Sequence, residues 1–160
     1  MVDILLLQTV SILVTSAGLL IAALYYVMQI RQQTRTRKTD LLVRLYSTMT
    51  TKDWLEAWEK FMQMPPTEKL DFDAYRQKHG LVEFNEVYLF FDQVGNLLRN
   101  GLIDINQVPF EAGQVKVTWE KIKPWLEVAR KRLNEPKMGQ GSEYLYNEMK
   151  KREQAGAKNG

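Results

Sequence analysis

The chain has 160 residues, a formal net charge of +3 and a pI near 9.0, and 45% of its residues are hydrophobic. It has no cysteine and one histidine, His79, which excludes disulfide frameworks, thiolate metal sites and a multi-histidine site within one chain. One apolar stretch and about 120 further residues leave room for a single small domain.

The apolar stretch comes first. Ile4 to Ile30 contains no charged residue and no proline. As a helix it rises about 40 Å, against about 30 Å of bilayer hydrocarbon, so it is expected to be one transmembrane helix. A cleaved signal peptide fits less well, because Asp3 is the only charge before the span and the apolar core is too long. A buried core helix fits poorly too, since so small a chain would not cover one helix on all sides.

Charge gives the orientation. Residues 31–38 hold Arg31, Arg35, Arg37 and Lys38, and the remaining 122 residues balance 18 basic against 18 acidic side chains. The positive-inside rule then puts the C-terminal domain in the cytoplasm and the N-terminus outside the cell membrane. The four basic residues are read as a membrane-surface collar, a topology signal that also suits anionic lipid. Tyr25 and Tyr26 mark the inner headgroup level. A neutral soluble part gives no reason to expect a nucleic-acid partner.

Gln8, Ser11, Thr15, Gly18, Ala22, Tyr25 and Gln29 recur in steps of three and four. That spacing lines one helix face with a heptad seam, and small or polar members let two helices approach and hydrogen-bond. The seam is read as a helix-association face, for self-pairing in a homo-oligomer or for a membrane-protein partner. The alternative is that its hydroxyls bond back to their own helix carbonyls.

No Gly or Pro falls between Leu19 and Met64, so the span is expected to run on as a juxtamembrane helix over residues 31–50. The weak helix formers of STMTT place a break near Thr50–Thr51. The next helix puts Trp54, Trp58, Phe61 and Met62 on one face, which suits either a core or the membrane interface. Pro65-Pro66 ends it. Asp71 or Asp73 caps a short helix through Gln77, with His79 and Gly80 at its end.

LVEFNEVYLFFDQVGNLLRNG reads as the central helix, with Phe84, Val87, Tyr88, Phe90, Phe91, Val94, Leu97 and Leu98 inward. Glu83 phases with that face and suits the helix N-terminus. Asn100-Gly101 stops the helix, Asp104 caps a short turn toward Phe110, and Gly113 precedes the next segment. There Val115, Trp119, Ile122, Leu126, Ala129 and Leu133 share a face, and Pro124 either kinks the helix or opens a second one. Lys121, Lys123, Arg130, Lys131 and Arg132 are read as its solvated outer side. Asn134-Glu135-Pro136 ends it. After the linker KMGQG, Ser142 caps a short last helix that Tyr144, Leu145 and Met149 dock, before a loose tail, AGAKNG.

The middle of the chain carries a resemblance. An N-terminal span, a basic stop, FFDQVGNLLRNGLID and a Trp-bearing helix resemble an uncharacterised family of small prokaryotic membrane proteins with one N-terminal transmembrane helix and a helical cytoplasmic domain. Asp92, Gly95, Gly101, Leu102, Ile103 and Asp104 carry its signature. The resemblance implies an all-α, membrane-tethered domain and no known activity.

The expected fold is thus all-α: a transmembrane anchor (1–30), a basic juxtamembrane helix (31–50), a helical cytoplasmic domain (51–135), and a linker, short helix and tail (136–160). The expected function is a membrane-tethered helical interaction module, an accessory subunit or scaffold of a membrane complex, without cofactor or metal. A second expectation is a lipid- or small-ligand-binding sensor with a pocket among Trp54, Trp58, Phe84, Phe91, Trp119 and Trp125. An enzyme would need Glu83, Glu86, Asp92 or His79 to converge, and no nucleotide or nucleophile motif accompanies them.

Overall fold

A computed structural model describes residues 4–65, 72–80 and 82–157. Among them are six α-helices and one 3₁₀ turn, with no strand. The chain divides into two units, Met1–Leu41 and Leu42–Gly160.

The first unit is helical from Ile4 onward and belongs to α1, which runs over Ile4–Met49. None of its apolar stretch is buried. It is long and apolar enough to cross a membrane.

The second unit begins with the end of α1. Leu45 is buried there, and Leu42 and Met49 are half-buried against the core. The expected break is present: α1 stops at Met49 and α2 spans Lys52–Gln63. Thr51 is the N-cap, and its hydroxyl accepts the Trp54 amide at 3.3 Å. Met64 then turns extended, as a residue before proline does.

α3 spans Phe72–His79 and is followed by Gly80 at φ +67°. Asp71, proposed as a cap, and the side chain of His79 lie outside the described residues. Asp73 sits in the first turn and forms a two-toothed ion pair with Arg132, at 2.9 and 3.1 Å.

α4, Val82–Arg99, is the central helix, lying between α2 and α6. Gly101 (φ +67°) closes it: the Gly101 amide bonds Leu98 O and the Leu102 amide bonds Leu97 O, both at 3.0 Å. Asp104 and Gln107 cap the 3₁₀ turn Ile105–Gln107 reciprocally.

α5, Ala112–Leu133, starts three residues before Val115, because Glu111 and Gln114 form the cap and Gly113 lies inside the first turn. Pro124 does not divide it. The hydrogen bond that proline removes is the one to the carbonyl of Glu120, an exposed residue. Leu133 is 58% exposed rather than inward, because Asn134 ends the helix there in the left-handed conformation, φ 54°.

α6, Gln140–Ala157, is the largest departure from expectation. It is an 18-residue helix packed along α4 and α5, longer than expected, while Leu145 and Met149 dock it in the core and Tyr144 packs partly buried against it, as expected. It begins two residues before Ser142, whose own hydroxyl is buried without a hydrogen-bond partner instead of capping. Ala155 to Ala157 of the expected loose tail are helical, and 158–160 lie outside the described residues.

Candidate interaction surfaces and the closed helical domain

The seam residues Gln8, Ser11, Thr15, Gly18, Ala22, Tyr25 and Gln29 are all exposed on α1. Both expected behaviours of the hydroxyls bear on them. Thr15 donates to Ser11 O at 2.8 Å, so its proton is used inside the helix. Its oxygen lone pairs still face outward and can accept from a neighbour. A Cβ added at Gly18 would meet nothing within 4 Å. Arg31, Arg35, Arg37 and Lys38 follow on the same helix, also exposed.

The aromatic residues considered as a pocket instead fill the core with one another. Trp54 packs on Phe90 (4.5 Å between ring centroids), and Trp58 stacks on Phe91 (5.9 Å), which stacks on Phe110 (4.2 Å). Phe61, Phe84 and Trp125 continue the row at 5.7 and 5.0 Å. Trp54 is buried and Trp58 packs partly buried against the core, so both belong to the domain interior.

The acids do not converge. Glu83 pairs with Lys60 at 2.9 Å. That hydrogen bond lowers the Glu83 carboxyl and raises the Lys60 amine from their usual values. Glu86 is exposed. Asp92 is occupied twice: Oδ2 accepts from Asn96 Nδ2 and Oδ1 accepts the Ser142 amide, each at 3.0 Å. No group of three or more metal-type ligands occurs among the described residues.

Asp92 therefore caps α6 from a different helix. It binds an amide in the first turn of α6, where donors lack intrahelical partners and an acid suits the dipole. Gly95, one turn further on, is what permits the approach. Its absent Cβ would fall 1.8 Å from the Gly141 carbonyl oxygen, so the two backbones touch. A Cβ on Gly141 would likewise fall 2.0 Å from Asp92 O. Tyr88, one turn before Asp92, is buried in the same contact, and burial pushes its hydroxyl up to about 12, with the charge of Asp92 adding to the effect.

Three of the five basic residues read as a solvated face are structural. The Lys121 amine donates to the carbonyls of Phe61 (3.1 Å), Met62 and Met64 (2.8 Å), and so closes the C-terminus of α2. It also lies 5.5 Å from the centre of the Phe61 ring. Burial lowers its pKa from the usual lysine value. Arg130 donates to Met138 O (2.8 Å) and Glu143 (2.9 Å), tying α5 to the turn before α6. Arg132 holds Asp73, as above.

The sequence profile of a domain-of-unknown-function family, DUF4760, matches residues 12–149. The chain belongs to DUF4760. No curated protein and no solved structure matches it. Within this DUF4760 domain, the motif that carried the resemblance now has physical content. Asp92 caps α6, Gly95 admits its backbone, Gly101 ends α4, Ile103 is buried and Asp104 caps the 3₁₀ turn. These residues build the fold.

Proposed function

We propose that this DUF4760 chain is a membrane-tethered helical interaction module, an accessory subunit or scaffold. Its first helix crosses the cell membrane, its N-terminus faces out, and residues from about 42 onward form a cytoplasmic domain. One observation carries the reading: an apolar helix with no buried residue in its apolar stretch is joined to a domain whose tryptophans and the phenylalanines of α2 and α4 pack in its own core. In water the exposed leucines, isoleucines and valines of α1 would be strongly unfavourable, at roughly 25 cal/mol per Å². Lipid removes that cost. The α-helix runs past the apolar stretch to Met49 without interruption, which suits a retained anchor better than a cleaved leader.

Arg31, Arg35, Arg37 and Lys38 supply the stop at the inner surface and contact lipid headgroups. The seam through Ser11, Thr15, Gly18 and Ala22 supplies the contact within the bilayer. The packing of Trp54, Trp58, Phe84, Phe91, Trp119 and Trp125 supports an interaction module over a ligand-sensing pocket.

The test is substitution on the seam. Because an added side chain at Gly18 meets nothing in this chain, Gly18→Leu combined with Ala22→Leu leaves the protomer intact. The expected result is a several-fold weaker association signal from the span in a membrane two-hybrid assay. An unchanged signal removes the seam from the proposal. Release of the chain by alkaline washing of membranes removes the anchor as well.

A further inference from the structure

We propose that the partner of α1 is a second copy of the same chain, in parallel, and that the pairing continues past the bilayer through Gln32, Thr36 and Thr39. This rests on the reading of α1 as an association helix and names the partner that reading leaves open.

The seam does not stop at Gln29. Continuing in steps of three and four gives Gln32, Thr36, Thr39, Val43 and Tyr46. In heptad terms Gln29, Thr36 and Val43 are a positions, and Gln32, Thr39 and Tyr46 are d positions. No charged residue occupies the seam, although this stretch is the most charged part of α1. Arg31, Arg37, Lys38 and Arg44 all fall at b and c, on the outer side.

Two charges are placed differently. Arg35 is at g and Asp40, the one acid between the span and Lys52, is at e. In a parallel pair, the g residue of one helix meets the e residue five positions later on the other. Arg35 and Asp40 are five apart and opposite in sign, so a second copy forms the pair twice. An antiparallel arrangement would set like charges against each other. Asp40 also has a partner within its own chain, and a carboxylate with two oxygens can serve both.

Exposure agrees. Gln29, Gln32, Arg35, Thr36, Thr39 and Asp40 are exposed in the first unit. In the second unit the domain covers Leu42, Leu45 and Met49, yet leaves Val43 and Tyr46 59% and 51% exposed. Within the second unit, the domain thus leaves the seam positions Val43 and Tyr46 uncovered.

The absence of cysteine makes a clean test possible. Single changes Gln32→Cys, Thr36→Cys and Thr39→Cys are compared with Thr34→Cys, which is on the far side, by oxidising native membranes that contain the full chain. The expected result is a disulfide-linked homodimer at the three seam positions, in yield at least about fivefold above Thr34→Cys, because the bond needs Cβ atoms roughly 4 Å apart. In the Thr36→Cys background, Arg35→Asp or Asp40→Arg alone should lower the yield about threefold, and the two together should restore it, as expected for an exposed ion pair. Equal yields at all four positions, or no restoration in the double change, overturn the proposal. Adducts with a different protein at the seam positions also overturn it, while leaving the association-helix reading standing. No adduct, together with an unchanged two-hybrid signal for Gly18→Leu and Ala22→Leu, removes both.

Discussion

Lys121 shows how one side chain can change role between sequence and structure. On a helical plot it is one of five cations on an outward face. In the fold its amine reaches three carbonyls at the end of α2. Phe61 O also accepts the Met64 amide, but Pro65 and Pro66, which would bond Phe61 O and Met62 O in a longer helix, have no N–H to give. Lys121→Met keeps the apolar stem and removes the donor. It should destabilise the domain by about 1–3 kcal/mol, read as a lower denaturation midpoint at unchanged slope.

Tyr88 gives a prediction about pH. Its hydroxyl ordinarily titrates near 10.0, and burial raises it to about 12 in the fold. Below pH 10 both folded and unfolded chains keep the proton, and the contribution is fully present. Between 10 and about 12 the unfolded chain loses it first, so stability falls, by on the order of 2 kcal/mol. Lys121 acts in the opposite sense: its lowered pKa makes stability rise as pH climbs toward 10.5. Tyr88→Phe should therefore flatten the alkaline loss between pH 10 and 12. Identical alkaline unfolding curves for the two proteins would show that burial does not hold that proton.

Among the elements, α4 and α6 form the contact that local pattern did not disclose. The periodicity of α4 gave its buried face correctly, since Phe84, Val87, Phe91 and Val94 repeat at helical spacing. What lies across that face was not legible. KMGQG looks like a linker because glycine usually punctuates, whereas here Gly141 sits with its carbonyl where a Gly95 side chain would be. Asp92 likewise looks like a solvated acid until the Ser142 amide is seen against it. Gly95→Ala should cost about 3 kcal/mol or more, because neither backbone can yield without moving a helix. Thr51→Ala, by contrast, removes one cap and should cost about 1 kcal/mol. A thermal melt of each variant, ranked against the parent, checks the order.

For the molecule as a whole, the division into two units implies that the second has a core of its own. A chain beginning at residue 39 keeps Leu42, Leu45 and Met49 and should unfold as one cooperative transition by circular dichroism. Ending the same chain at residue 138 removes Leu145 and Met149 and uncovers α4. Loss of cooperativity is the expected outcome. A sharp transition in that shorter chain would mean that α6 is dispensable, against the packing described here.

Length and polarity of the first thirty residues needed no fold to be read, since solubility of a helix in lipid or water is a property of its own surface. The helix boundaries at Thr51, Pro65, Gly101 and Asn134 were equally local, because caps and left-handed turns involve residues a few positions apart. The partnerships were not. Asp92 with Ser142 and Lys121 with the end of α2 join residues 50 or more positions apart, and no spacing rule links them. Only the packing of α2, α4, α5 and α6 on one another brings those groups together, and that arrangement depends on which backbones can touch, which a single chain's periodicity does not record.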